Sequence, residues 1–314
     1  MKTLLGRCPA DYWESQPRRD RCKAREVNCV NAKKHILPRR KRPRIDVGSE
    51  LQFLRECERD CYTSIGAKGR FIELLRVIHL IPEPESILDV GGSLATGRWF
   101  QAKFPRAKVT LLNTSRRELG SYPHVLEADA QCFKTQEKYD LVFAGDIIEH
   151  MYNPDGLVCS CLLAMKPSGH FAITSPNLSC IYNRLFLLFG WSLGNYFPSL
   201  RFKAGNPFLP ETGGDFGPVP DHKSVFTWKG LYQLLMCYGF KIISARGYDY
   251  TQHEKARLPA NKCYNVPARK IRLVLSRLLP KGLQEGMLFL CEAPEKMDAN
   301  ELSKGILKDN LWTL

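Results

Sequence analysis

The stretch Ile87-Leu88-Asp89-Val90-Gly91-Gly92-Ser93-Leu94-Ala95-Thr96-Gly97 decides the fold. Four residues, two of them β-branched, run straight into a pair of glycines, and Arg98 to Phe104 then reads as a helix. A strand, a glycine turn and a helix N-terminus bring backbone close to a ligand and point amide N–H groups outward. Pyridine nucleotides want G-x-G-x-x-G, but the positions two and five after Gly91 are Ser93 and Thr96, so that fingerprint fails.

Outward from this turn, short β-branched runs alternate with helical stretches. The strands are read at Ile87–Val90, Lys108–Leu112, His124–Glu127, Tyr139–Ala144, His170–Thr174, Phe240–Ala245 and Gly286–Cys291. Seven strands separated by helices predict an α/β fold: a Rossmann-like doubly wound sheet with helices on both faces. Before it, Leu51 and Leu54, then Phe71, Leu74, Leu75 and Ile78, recur at helical spacing and predict one or two helices capping the ligand side. Ala268 to Leu279 reads as a further helix. Between Pro176 and Lys223 lies an insertion rich in Gly, Pro and aromatics, including Phe186, Phe189, Trp191, Tyr196, Phe197, Phe202, Phe208 and Phe216. Segments of this kind are lids or binding loops, or else ordinary packed excursions. The expected organisation is a basic tail over 1–48, one domain over 49–295 with 177–223 as its lid, and a C-terminal tail over 296–314.

With strand and turn in place, Ile87-Leu88-Asp89-Val90-Gly91 resembles the first motif of class I S-adenosylmethionine-dependent methyltransferases: an acidic residue, one spacer, then G-x-G-x-G. In that family the acidic residue and the glycines surround the methionine part of the cofactor. Here Ser93 and Ala95 replace the second and third glycines. The second motif ends strand two with an acidic residue that holds the ribose hydroxyls; the matching residue is Asn113, which can accept from one hydroxyl and donate to the other. The third match, Leu126-Glu127-Ala128-Asp129-Ala130, makes Asp129 the adenine reader, with a helix N-cap as its alternative role. The resemblance thus implies S-adenosyl-L-methionine held by Asp89, Gly91, Gly92, Ser93, Asn113, Asp129, Ala130 and Asp146.

Further along stand Tyr139 to His150, Pro154, a helix to Met165, the turn Lys166-Pro167-Ser168-Gly169, and the exit Ser175-Pro176-Asn177. Asp221-His222-Lys223-Ser224-Val225-Phe226-Thr227-Trp228, a helix to Tyr238 and Gly239-Phe240 follow. This order is similar to the ubiquinone-biosynthesis O-methyltransferase group over roughly Gly66 to Pro294. Asp146, Glu149 and His150 stand at the carboxyl end of strand four, where open α/β sheets place their ligands. The catalytic candidates are Asp146, Glu149, His150 and His222. In the ubiquinone enzymes and in small-RNA 2′-O-methyltransferases, Asp146-x-x-Glu149-His150 resembles a spacing that helps hold a divalent metal, and the RNA enzymes add a later histidine, matched by His222. Many relatives with a Glu-His pair use no metal, so His150 is read as a ligand, a base or substrate contact, or a structural residue.

The formal charge is +14, and residues 1–48 hold 14 Lys/Arg against 5 Asp/Glu, a net of +9. The run Pro38-Arg39-Arg40-Lys41-Arg42-Pro43-Arg44 reads as a disordered tail able to meet nucleic acid, an anionic membrane or an import receptor. No secretory leader is read in Met1 to Pro9, and Leu185 to Gly190 is far short of the ~20 residues needed to span a bilayer. A cytoplasmic protein is expected, with nuclear entry left open by the tail. The 12 cysteines form no C-x-x-C pair, and Cys57, Cys61, Cys159 and Cys161 sit in helical segments, which favours reduced thiols. Three functions follow: O-methylation of a small, partly apolar or aromatic acceptor; metal-assisted RNA methylation, favoured by the tail; or a non-catalytic cofactor-binding protein, allowed by Ser93, Ala95 and Asn113.

Overall fold

The computed structural model describes residues 44–62, 65–197, 199, 204–207, 221–248 and 279–295. Two helices lead in, α1 (Val47–Cys61) and α2 (Gly69–Ile78). They are followed by β1 (Ser86–Val90), α3 (Leu94–Lys103), β2 (Lys108–Asn113), α4 (Arg116–Leu119), β3 (Val125–Glu127) and β4 (Tyr139–Gly145). The chain continues through α5 (Pro154–Ala164), β5 (Met165–Pro176), α6 (Ile181–Leu188), α7 (Trp228–Cys237), β6 (Lys241–Tyr248) and β7 (Gly286–Glu292).

The seven strands form one sheet in the order β3-β2-β1-β4-β5-β7-β6. β7 runs antiparallel to both β5 and β6; the pairs β1–β2, β1–β4, β2–β3 and β4–β5 are parallel. The Rossmann-like expectation holds, with an antiparallel strand inserted that the sequence periodicity did not reveal. Helices cover both faces. One core layer joins Val158, Leu162, Leu231 and Leu235 of α5 and α7 to Leu88, Val142 and Phe171 of the sheet. The other joins Leu54, Phe71, Leu74, Trp99 and Phe100 of α1 to α3 to Ile87, Val109 and Phe143.

Strand order reverses beside β1: the chain moves outward to β2 and β3, then returns to β4 on the other side. Ligands in open α/β sheets bind at this switch, beyond the carboxyl ends of the strands. Register places Val90 beside Leu112 and Ala144, so Asn113 and Gly145 flank the end of β1.

Several expectations need correction. α3 begins at Leu94 rather than Arg98, because Ser93 caps it: the Ser93 hydroxyl accepts from Thr96 N and the Thr96 hydroxyl accepts from Ser93 N. The glycine turn is therefore only Gly91-Gly92-Ser93, and Ala95 and Gly97 belong to the helix. β5 starts at Met165 rather than His170; Pro167 disfavours helix at Lys166, so Lys166-Pro167-Ser168-Gly169 joins an extended, irregularly registered strand start. No helix lies between β3 and β4 among the described residues, where Ala128–Lys138 is turns and irregular chain. α1 already begins inside the expected tail, at Val47, because the Asp46 carboxylate caps Gly48 N and Ser49 N. The helix read at Ala268 to Leu279 lies outside the described residues except for Leu279, as does the tail up to residue 43. Cys57 and Cys61 of α1 and Cys159 and Cys161 of α5 are free thiols, as expected. No helix among the described residues is long and apolar enough to cross a membrane.

Candidate functional site

The floor of the site is the end of β1. Gly91 N and Gly92 N donate to Leu112 O at 2.9 and 3.1 Å, which locks the turn against β2. Gly91 has φ +75°, and a Cβ there would meet Ile147 Cδ1 at 2.4 Å. A Cβ on Gly92 would lie 2.7 Å from Asp89 Oδ2. Both positions therefore require glycine and leave bare backbone at the switch point. Gly97 answers a different need, since its Cβ would press on Tyr122 and Leu111 where α3 meets β2.

Asp89 is buried and accepts from the Thr96 hydroxyl. Burial pushes its carboxyl up to about 6, against the opposing pull of the Thr96 hydroxyl and the Arg70 guanidinium. Asn113 Nδ2 donates to Gly92 O at 3.1 Å and Oδ1 accepts from Ser115 N at 3.1 Å. The amide in place of the acid thus ties the glycine turn to β2; a carboxylate could not donate there. Each end of the amide keeps one further hydrogen-bonding position. Asp129 is exposed, and Oδ1 accepts from Gln131 N at 2.9 Å, an Asx turn rather than the N-cap of a helix. Ala130 beside it is buried.

Asp146 follows β4 with φ +50°, a left-handed conformation uncommon for a non-glycine residue. Its surroundings hold it there. Its N–H donates to Thr174 O, Oδ1 accepts from Thr174 Oγ1 at 2.7 Å and Tyr248 OH at 3.0 Å, and Oδ2 pairs with Arg70 Nη1 at 2.9 Å. Sequence reasoning missed Arg70. This buried side chain of α2 also donates from Nη2 to Ile65 O at 2.7 Å, while its Nε has no partner among the described residues. Gly145 lies against both Phe143 and this arginine, since a Cβ there would meet the Phe143 ring at 2.5 Å and Arg70 Nε at 3.2 Å. Nothing in the sequence singles it out, since α2, Gly69–Ile78, also carries Glu73 and Arg76.

Just beyond β4, Glu149, His150 and His222 bring ligand atoms within 4.8 Å of one another. Glu149 is buried, accepts from Ser175 Oγ at 3.3 Å, and is held well above the usual carboxylate range by burial and then by the charge of Asp146. His150 Nδ1 donates to Asp221 O at 2.8 Å and His222 Nδ1 to Asn195 O at 2.6 Å. A carbonyl can only accept, so each Nδ1 carries a proton, and a lone pair on a neutral ring is on Nε2. The rings meet edge to face at 4.9 Å. Burial lowers the His222 pKa, the Asn195 carbonyl opposes this, and nearby His150 lowers it further. The structure thus groups three of the four catalytic candidates; the fourth, Asp146, spends its carboxylate on Arg70, Thr174 and Tyr248.

A family model described as "Methyltransferase domain" matches residues 67–245, more than half of the chain. No curated protein sequence matches. Among solved structures, the chain is similar to the N-methyltransferase NodS of Bradyrhizobium japonicum in complex with S-adenosyl-L-homocysteine, at 12% identity over 77% of this chain and 99% of that one, TM-score 0.43. It is also similar to a SAM dependent methyltransferase of Archaeoglobus fulgidus, at 14% identity over 75% and 97%, TM-score 0.43. A third is the 1,6-didemethyltoxoflavin-N1-methyltransferase of Burkholderia thailandensis, at 11% identity over 79% and 81%, TM-score 0.41.

Proposed function

The chain belongs to the methyltransferase-domain family over residues 67–245, and from that premise we propose that it methylates a hydroxyl of a small, partly apolar acceptor, using S-adenosylmethionine. The observation that carries this is the pairing of two half-sites across the switch point. On one side is a bare glycine turn with buried charges; on the other, two imidazoles whose Nδ1–H groups are each held by a backbone carbonyl.

The residues fit the cofactor. Its methionine end is a zwitterion, and the first half-site offers the cationic Arg70, with an unpartnered buried Nε, beside the acidic Asp89 and Asp146. Arg70 would take the carboxylate and Asp89 the ammonium, while Gly91, Gly92 and Ser93 admit the chain. Asn113 would take the ribose, and Asp129 with Ala130 the adenine. Bound there, the cofactor supplies an electrophilic methyl group on a sulfonium. The protein's own work is orientation, exclusion of water and removal of the acceptor's proton. His150 and His222 suit that proton removal, since each ring is oriented by a carbonyl and burial favours neutral His222. We take 49–295 as the catalytic domain and 177–223 as its lid, with Asn177 anchoring the lid's start through Nδ2 bonds to Gly282 O and Gln284 O.

Labelled S-adenosylmethionine incubated with metabolite extracts tests this reading; label in a base-stable ether supports it, and label only in amines or in RNA overturns the hydroxyl assignment. A second reading is favoured by the convergence of Glu149, His150 and His222. These three would hold a divalent ion that polarises the acceptor hydroxyl, with the Asp221 and Asn195 carbonyls fixing the ring orientation. Metal analysis of the purified chain, with Glu149→Gln as control, decides between the two.

A further inference from the structure

We propose that Asn183 of α6 is a positioning residue for the His222 imidazole. α6, Ile181–Leu188, buries Asn183 and leaves Leu187 61% and Leu188 75% exposed. Core packing selects the reverse, since leucine gains by leaving water and a buried amide must replace every hydrogen bond it gave up. Asn183 replaces them: its Nδ2 donates to Leu178 O at 3.0 Å and to Asn195 Oδ1 at 2.7 Å, and its Oδ1 accepts from Gly194 N at 2.9 Å. The last two bonds fasten one bend, Gly194-Asn195, and that bend carries the carbonyl that meets His222.

Asn195 O accepts from His222 Nδ1 at 2.6 Å. Which ring nitrogen carries the proton is set by the bond the ring makes, and a carbonyl at Nδ1 leaves the lone pair of a neutral ring on Nε2. The carbonyl does this only while residue 195 keeps its place, and residues 194 and 195 lie in irregular chain. The chain before them is anchored elsewhere: Ser192 N donates to Gly205 O at 2.8 Å, and Ser192 O accepts from Asn206 Nδ2 at 2.6 Å. Asn183 therefore links a helix to the bend, holding Gly194 by its N–H and Asn195 by its side chain. His150 is oriented by Asp221 O instead, so the two rings, in edge contact at 4.9 Å, answer to different segments.

The residue type follows from this task. Aspartate could accept from Gly194 N but could not donate to Leu178 O or Asn195 Oδ1, and leucine would suit the apolar helix but hold neither residue of the bend. Without Asn183 the bend is free to shift, and the His222 proton then sits on either nitrogen. The orientation of His222 is a property of the free protein; its consequence for proton removal rests on the methyl-transfer reading.

The test is nitrogen NMR of the full chain with isotopically labelled histidine, in chelator and at a pH where both rings are neutral, with signals assigned by His150→Gln and His222→Gln. Wild type is expected to show His222 protonated on Nδ1 alone. Asn183→Ala should show both tautomers at His222 and leave His150 on Nδ1, a split that a general loosening of the fold would not produce. Asn195→Ala removes one of the bonds and should act in the same direction, and Asn195→Asp, which still accepts from Asn183 Nδ2, should restore the wild-type signal. Label transfer from S-adenosylmethionine to metabolite extract should fall about ten-fold in Asn183→Ala with cofactor affinity unchanged, a part of the roughly 10²–10⁴-fold that a positioned base contributes. The inference is overturned if His222 stays on Nδ1 alone in folded Asn183→Ala, or in Asn195→Ala where Asn183→Ala does not fold. It is equally overturned if wild-type His222 is already mixed, if both rings become mixed together, or if Asn195→Asp behaves as Asn195→Ala. Absence of label transfer in wild type with the split at His222 intact would strike the methyl-transfer reading and leave the role of Asn183 standing.

Discussion

Replacing Asp89 by asparagine should stabilise the protein without ligand and weaken its hold on the cofactor. Burial raises the Asp89 carboxyl from an ordinary 3.8 to about 6. The native state therefore binds this proton more tightly than the unfolded chain does. The stabilising effect is complete below about pH 4, is lost as pH rises through the window from 3.8 to about 6, and leaves a constant penalty above it. A shift of roughly 2 units at 1.36 kcal/mol each sets that penalty near 3 kcal/mol. Asparagine keeps an oxygen able to accept from the Thr96 hydroxyl and carries no charge, so Asp89→Asn should be about 1–3 kcal/mol more stable than wild type at neutral pH. The assay is urea unfolding of both proteins across the window. A gap that closes towards pH 4 supports the account; an asparagine variant less stable than wild type at neutral pH, or a gap independent of pH, refutes it.

Arg70→Ala should cost about 3–5 kcal/mol in urea unfolding by leaving Asp146 without its cation, and Arg70→Lys should recover part of the stability but less of the cofactor affinity. Asn113→Asp brings the sequence nearer the family pattern yet should destabilise by about 1–2 kcal/mol, because a carboxylate would face the Gly92 carbonyl in place of an amide donor; a neutral or stabilising effect would contradict the role given to that bond. Glu149→Gln should raise neutral-pH stability for the same reason as Asp89→Asn, because burial and the charge of Asp146 hold the native carboxyl well above the usual carboxylate range and glutamine has no proton to take up on folding. A loss of several kcal/mol in thermal unfolding would instead mean that the carboxylate is native.

The reach of the sequence can be followed residue by residue. All seven strands were legible because short apolar runs bounded by turn residues mark buried strands well, and β1, β2 and β4 came within a residue or so of their observed ends. The early start of α3 was readable too, since Ser93-x-x-Thr96 has the spacing of a capping box. What the chain could not disclose depends on tertiary placement. The antiparallel slot of β7 between β5 and β6 carries no local signature. Arg70 looks like an ordinary helical arginine until α2 is laid over the end of β4. Asp146 has the spacing of a ligand but spends its carboxylate on Arg70, Thr174 and Tyr248, while His222, 72 positions beyond His150 by number, comes within ring contact of it.

Calorimetric titration of the full chain with S-adenosylmethionine and S-adenosylhomocysteine tests the central claim most directly. The account predicts saturable binding of both at one site per chain, with Gly92→Ala removing it because the added Cβ would press on the buried Asp89 carboxylate. Absence of heat at about millimolar ligand, or undiminished binding by a folded Gly92→Ala variant, would contradict it.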